Sequence, residues 1–242
     1  MAACKNIICH TDFVKERIKE IGVKSNIFVI PHGCLNPTDT TKYWNFFKND
    51  KVIINFGFGF DYKGIDKSLE TIKLLKVNHS DVFYIYLCAT SPNFKIMHSA
   101  YCRNLLKKSR ELGIEENVAI IQGFNDDKIL NNYFKTVRGC GLFSYYGDNQ
   151  GFVAGASGSI RHVLPYLPCV ASDESICHQF TELPIPKANS PEGWATIIDK
   201  IFTDKEYTSS LMNIQKEYIQ KNSWENIGVD FFNTFKQIIN LN

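Results

Sequence analysis

The chain has 242 residues, of which 44% are hydrophobic and 21% are charged, as is ordinary for a globular protein. Its formal net charge of +2 gives no sign of a broad nucleic-acid-binding surface, and no apolar run approaches the roughly 20 residues of a membrane span. The N-terminal apolar core is too short for a signal peptide, so we expect a cytoplasmic protein without a transmembrane segment.

The first part of the chain predicts two short strands around one helix. They are the strand Lys5–Cys9, a helix that begins at Thr11 or Asp12 and ends near Ile21, and the strand Asn26–Ile30. Pro31-His32-Gly33 ends the second strand, and a polar connection to about Thr41 is the best candidate for a linker.

Strand-like and helix-like segments then alternate. The helix after Lys63-Gly64 places Ile65, Leu69, Ile72 and Leu75 on one face, which we expect to be buried. The further predicted strands are Lys51–Phe56, Asp81–Cys88, Asn117–Gln122, Cys140–Tyr146, Cys169–Ala171 and a short Thr181–Ile185. The further predicted helices are Phe94–Leu112, a segment from Gly123 through Val137, a segment after Ser159, Ser190–Phe202, Asp204–Asn222 and Ser223–Leu241, with Ser190 and Ser223 as N-caps.

This alternation predicts an α/β fold, a Rossmann-like parallel sheet flanked by helices, with further helices at the C-terminus. In such sheets, ligands bind beyond the carboxyl ends of the strands. Turns rich in small residues occupy three of these ends, at 57–64, 123–127 and 147–159. Gly57-x-Gly59 suggests a dinucleotide fingerprint, but the third glycine is absent because position 62 is Tyr and Gly64 comes too late.

Two cations stand where a helix is expected to begin. Lys63 precedes one helix and Arg161 falls in the first turn of another, although a cation opposes the dipole at a helix N-terminus. Lys63 could simply be solvated, and the Ser157-Gly158-Ser159 turn could simply be an N-cap. Two positive helix ends facing one crevice would instead suit a diphosphate.

Other polar residues have simpler interpretations. A lone histidine is more often structural or solvated than catalytic, which applies to His32, His162 and His178. Asp126-Asp127 is explained by helix-start chemistry. Eight scattered cysteines without a C-x-x-C pair or zinc-ligand spacing predict reduced core thiols and no metal site.

At its turns the chain resembles the donor-binding C-terminal domain of a GT-B glycosyltransferase, family 4-like (glycosyl transferases group 1). The similar segments are Asn26–Gly33, Phe56-Gly57 with Lys63-Gly64, Val118–Phe124, Gly151-Phe152 with Pro168–Ser172, and Ser223–Glu225. Phe58 stands where the family usually has Arg, and two glutamates separated by seven residues are absent from the region between Gln150 and Arg161. We interpret Arg161 as a replacement for the missing Arg, on the basis of its charge.

The resemblance implies that a nucleoside-diphosphate sugar is bound and that its hexosyl group is transferred with retention to an unknown acceptor, without a cofactor or metal. Lys63 and Arg161 would stabilise the leaving diphosphate. The implied donor-binding residues are Gly57, Phe58, Gly64, Gly123, Phe124, Asp148, Gln150, Ser157, Gly158 and Ser159.

The domain boundaries follow from the same resemblance. Residues 1–33 resemble a remnant of an acceptor-type domain with the entry to the linker, and residues 34–242 resemble a nucleotide-sugar-binding, Rossmann-like domain. The alternatives are a non-catalytic nucleotide-sugar-binding module and one subunit of a split glycosyltransferase, whose partner chain would supply the acceptor domain. A flavodoxin-like regulatory domain is a third interpretation, on fold analogy alone.

Overall fold

The computed structural model describes residues 4–36, 51–123, 126–146 and 156–240. Its first unit is a small parallel sheet of two strands, with Asn6 paired with Asn26 and Cys9 with Val29. Thr11 caps the intervening helix because its side chain accepts a hydrogen bond from the Val14 amide at 3.2 Å. These elements are β1 (Asn6–Cys9), α1 (Asp12–Glu20) and β2 (Asn26–Val29).

A parallel sheet of six strands forms the main body within the described ranges, in the spatial order β5-β4-β3-β6-β7-β8. The predicted Rossmann-like class is confirmed, because successive parallel strands are joined by helices that cover the sheet. The strands are β3 (Val52–Phe58), β4 (Phe83–Ala89), β5 (Val118–Gln122), β6 (Gly139–Phe143), β7 (Cys169–Ser172) and β8 (Lys187–Ala188).

Both faces of this sheet are buried, as is usual for parallel sheets. Neighbouring residues of β3 point to opposite faces, so Ile53 and Ile54 belong to two separate hydrophobic clusters. The helices are α2 (Ile65–Leu75), α3 (Lys95–Glu111), α4 (Asp127–Thr136), α5 (Gly158–Val163), α6 (Pro191–Thr203), α7 (Lys205–Lys221) and α8 (Trp224–Asn240).

The structure confirms most of the predicted elements and corrects one. Ser190 and Ser223 cap their helices, with side chains that accept amide hydrogen bonds at 3.2 and 3.3 Å. The predicted strand Thr181–Ile185 is wrong, because that segment forms turns and the strand β8 follows it. Pro184 lies in the middle of that segment and has no N–H to donate to a sheet.

All eight cysteines are free thiols, and seven of them are buried, as the sequence predicts for core thiols; Cys4 is exposed. Among the described helices, none is both long enough and apolar enough to cross a bilayer. A backbone hydrogen bond of 2.8 Å from the Cys34 amide to the Asn222 carbonyl joins the end of the first unit to the α7–α8 junction.

Candidate functional site

A cavity of about 390 Å³ opens at the carboxyl ends of β3, β4 and β5, which is the edge where the fold predicts a ligand. Its volume lies within the range of small-molecule sites. The residues that line it are Phe56, Gly57, Phe58, Leu87, Ala89, Gly123, Asp127, Leu130, Gly158, Ser159 and His162.

Gly64 determines where Lys63 lies. It has left-handed backbone angles, φ 60° and ψ 28°, and a Cβ at this position would collide with the Ser144 carbonyl oxygen. This close approach holds the turn after β3 against the end of β6. Lys63 directly precedes the cap of α2, as predicted, and it is only 6% exposed.

The Lys63 ammonium and the Ser159 hydroxyl converge on Gly57. A Cβ added to Gly57 would lie 3.2 Å from Ser159 Oγ and 3.6 Å from Lys63 Nζ. Gly57 has φ 151°, which favours glycine, so the backbone leaves this space open. Ser159 lines the cavity and Lys63 does not, but a cation and a hydroxyl donor that are this close to one position can both donate to an anionic oxygen there.

Tyr145 links Lys63 to the turn before α5. Lys63 Nζ donates a hydrogen bond of 2.6 Å to Tyr145 Oη and lies 3.9 Å from the centre of that ring. Tyr145 Oη is in turn 3.4 Å from Ser157 Oγ. None of the ion pairs between described residues includes Lys63, so its nearest described partners are a neutral hydroxyl and an aromatic face.

The structure places Arg161 differently from the sequence interpretation. Its guanidinium is 1% exposed, forms a short ion pair with Glu182 and donates a hydrogen bond of 2.6 Å to the Ser157 carbonyl. It lies in the last turn of the six-residue helix α5 and is not among the residues that line the cavity. The prediction that Arg161 falls in the first turn of its helix is therefore wrong, and its guanidinium is paired within the protein.

The other predicted site residues divide into three groups. Gly57, Phe58, Gly123, Gly158 and Ser159 line the cavity together. Gly64 and Ser157 support its wall from behind, through Ser144 and Tyr145 respectively. Phe124, Asp148 and Gln150 lie outside the described residues.

Two residues of the cavity were assigned other roles from the sequence. His162 lines it, and its Nδ1 is buried without a hydrogen-bond partner. Burial lowers the pKa of His162, and the Asp127 carboxylate opposes that shift. Asp127 also lines the cavity, while Asp126 caps α4 by accepting a hydrogen bond of 2.6 Å. The signal that was missed is the spacing of Ser159 and His162, three residues apart on one helix face.

His32 lies on the other side of the α5 turn. Its Nδ1 bonds the Gly33 carbonyl oxygen at 2.8 Å, and a Cβ on Gly158 would be 3.3 Å from its Nε2. Burial lowers the pKa of His32, the hydrogen bond to Gly33 raises it, and Arg161 lowers it further. A neutral ring that packs against the turn fits the structural interpretation of this histidine.

The solved structures with a similar fold include several glycosyltransferases. A trehalose-6-phosphate synthase, OtsA, superposes with a TM-score of 0.78 at 14% identity over 96% of this chain and 60% of its own. A sucrose-phosphate synthase from Thermosynechococcus elongatus gives 0.70 at 16% identity, over 98% of this chain and 59% of its own. A glycosyltransferase from Rickettsia africae gives 0.76 at 15% identity, over 97% of this chain and 64% of its own.

No protein-family model and no curated protein matches the sequence. At these identities the structural similarity shows the fold alone, and the chain spans about 60% of the length of these three structures. The described sheet and its helices therefore have the GT-B glycosyltransferase-like fold, and the cavity lies at the carboxyl edge of that sheet.

Proposed function

We propose that this chain is the donor-binding part of a retaining, family 4-like GT-B glycosyltransferase, and that it takes a hexosyl group from a nucleoside-diphosphate sugar. The observation that carries the proposal is the position of Lys63. It is a buried ammonium without a carboxylate partner among the described residues, and it lies 3.6 Å from the space that Gly57 leaves open beside Ser159. A diphosphate would supply the missing negative charge.

The charges around this position support the proposal. A connected series of contacts joins two cations to one carboxylate. It runs through Lys63, Tyr145, Ser157, Arg161 and Glu182. Among the described residues, this series of contacts therefore has one more positive than negative charge. Keeping that charge away from water costs free energy unless an anion binds beside it. A fixed cation there would stabilise the diphosphate as it leaves the sugar, and we propose that no metal or other cofactor is needed.

The remaining roles follow from the positions of the side chains. Ser159 would donate to the same phosphate oxygens as Lys63, while Gly57 and Gly64 allow the backbone geometry that both need. Arg161 would act as a positioning residue, because it binds the Ser157 carbonyl and so holds the turn that carries Ser159.

The nucleoside would occupy the part of the cavity between Gly123, Asp127 and His162, with Phe58 at its rim. Phe124, Asp148 and Gln150 stay proposed donor contacts on the resemblance alone. The similar structures include an O-GlcNAc transferase, GtfA, whose complex holds UDP and GlcNAc, so UDP-sugars are the first donors to test.

We also propose that an acceptor-type domain covers the first unit, supplied by a partner chain or by a longer polypeptide. Two parallel strands alone are marginal, and parallel sheets are usually buried on both faces. In the isolated chain, amides of β1 and β2 should exchange with solvent much faster than those of β3 and β4. Equal protection of the two sheets would argue that the first unit needs no such cover.

A thermal-shift panel of nucleoside diphosphates and their sugars tests the function, followed by assays of sugar release and transfer. A ligand present at 100 times its dissociation constant should stabilise the protein by about 2.7 kcal/mol. If no member of the panel raises the melting temperature, the proposal is refuted. Binding without hydrolysis or transfer, with any acceptor offered, would instead identify a nucleotide-sugar-binding module.

A further inference from the structure

The outward face of α3 carries an unusual concentration of positive charge. Among its 17 residues are Lys95, Arg103, Lys107, Lys108 and Arg110, against the single carboxylate of Glu111. Two of these cations are engaged within the protein, since Lys108 pairs with Glu70 at 2.7 Å and Lys107 with Glu111 at 3.6 Å. No ion pair between described residues includes Lys95, Arg103 or Arg110.

The helical period collects these residues into a stripe. At 3.6 residues per turn, Ile96, Arg103, Lys107 and Arg110 fall within a sector of about 60°. With a rise of 1.5 Å per residue, the stripe is about 21 Å long. The opposite side of α3 packs on the sheet through His98, Cys102, Leu105 and Ser109, so the stripe faces away from the core.

The stripe begins at an exposed apolar tip. Ile96 is 86% exposed, Phe94 47% and Met97 46%, so three large apolar side chains are exposed within four residues. The Phe94 ring is 5.8 Å from the Phe60 ring, which is 6.3 Å from Phe58 at the rim of the cavity. The tip therefore lies at the same edge of the sheet as the candidate site.

We propose that the tip and the stripe together dock the protein on an anionic lipid bilayer. The three apolar side chains would enter the boundary between headgroups and acyl chains, and the cations would meet acidic headgroups. A nucleic acid would match the cations and leave the apolar tip in water. Charge and hydrophobicity together therefore favour a lipid surface.

This surface would bring the cavity next to the membrane. If the proposed function is also correct, the acceptor would be an amphiphile whose sugar-accepting end projects from the bilayer. The docking surface itself does not depend on that function, because it is defined by α3 and by Phe94, which directly precedes it. A binding assay without any sugar donor therefore tests it separately.

Vesicle co-sedimentation of the full chain is the direct experiment. We expect binding to phosphatidylcholine vesicles that contain 30% phosphatidylglycerol, little binding to phosphatidylcholine alone, and release in 0.5 M salt. Replacing two cations, in Arg103→Ser/Arg110→Ser, should weaken binding about 30-fold. The pair Ile96→Ser/Met97→Ser should also weaken it, whereas Ile214→Ser, which removes an exposed apolar side chain of α7, should not.

The proposal would be overturned by no binding to the anionic vesicles, by equal binding to neutral ones, or by α3 variants that bind like the original chain. Preference for an oligonucleotide over the vesicles would also overturn it. All the replaced side chains are exposed, so the thermal midpoint of each variant should stay close to that of the original chain.

Discussion

Replacement of Lys63 by methionine separates the charge of this residue from its volume. The side chain donates to Tyr145 Oη at 2.6 Å and lies over the Tyr145 ring, and it has no carboxylate partner among the described residues. The hydrogen bond has a charged donor, so its loss costs about 1.5–3 kcal/mol, and removal of a buried charge without a carboxylate partner offsets most of that cost. We therefore expect Lys63→Met to change the free energy of unfolding by no more than about 1 kcal/mol.

The effect on binding should be much larger. A charge-assisted contact contributes about 1.5–3 kcal/mol, so the variant should bind a nucleoside diphosphate roughly 10- to 150-fold more weakly. The matching nucleoside has no phosphate and should bind both proteins alike. Isothermal titration calorimetry of both ligands, with thermal unfolding of the free proteins, measures all of these quantities.

Lys73→Met is the matched control, because Lys73 is an exposed lysine on the following helix, α2. It should leave the affinity for the diphosphate unchanged. If Lys63→Met binds the diphosphate within twofold of the original chain, or loses nucleoside binding equally, the phosphate assignment fails. If it unfolds, Lys63 is a structural residue.

Further substitutions test other parts of the structure. Gly64→Ala should lower the free energy of unfolding, measured by denaturant titration, by more than about 3 kcal/mol, because the left-handed backbone and the nearby Ser144 carbonyl both oppose a Cβ. The control Gly113→Ala should lower it by about 1–2 kcal/mol, because Gly113 has φ 68° but open space around it. Arg161→Met should lower the free energy of unfolding by about 2–4 kcal/mol because it leaves Glu182 unpaired. Adding Glu182→Gln should recover part of that loss. An unchanged stability of Arg161→Met would contradict the ion pair. Burial lowers the pKa of His98, so the folded state binds fewer protons than the unfolded state and stability should fall as the pH drops below about 6.5. His98→Phe should stabilise the protein at pH 7 and make its stability depend less on pH. If the variant shows the same pH dependence, groups other than His98 cause it.

The local parts of the fold could be predicted from the sequence because they depend on short-range patterns. The apolar period of α2 identifies Ile65, Leu69, Ile72 and Leu75, all of which are buried. The segment Thr181–Ile185 was predicted wrongly because its apolar residues are buried by tertiary contacts rather than by sheet pairing.

The contacts of the site depend on strand order, which the sequence does not reveal. Tyr145 meets Lys63 because β6 lies beside β3 in the sheet, although 82 residues separate the two side chains along the chain. Glu182 reaches Arg161 from a segment between β7 and β8 that carries no motif. Charge at a helix start could therefore be located from the sequence, but its partner could not.

The two cations singled out by one argument, that each opposes a helix dipole, have opposite surroundings in the structure. Arg161 forms an ion pair with Glu182, while the contacts of the Lys63 ammonium among the described residues are the Tyr145 hydroxyl and the rings of Tyr145 and Tyr62. A buried cation with a structural role should be paired with a carboxylate of the protein. A buried cation with a binding role should be paired only when the ligand supplies the negative charge. On this criterion, loss of Arg161 should mainly lower the free energy of unfolding and should weaken diphosphate binding less. Loss of Lys63 should weaken diphosphate binding alone. Measuring both quantities in both variants tests that criterion, and it fails if the two variants behave alike.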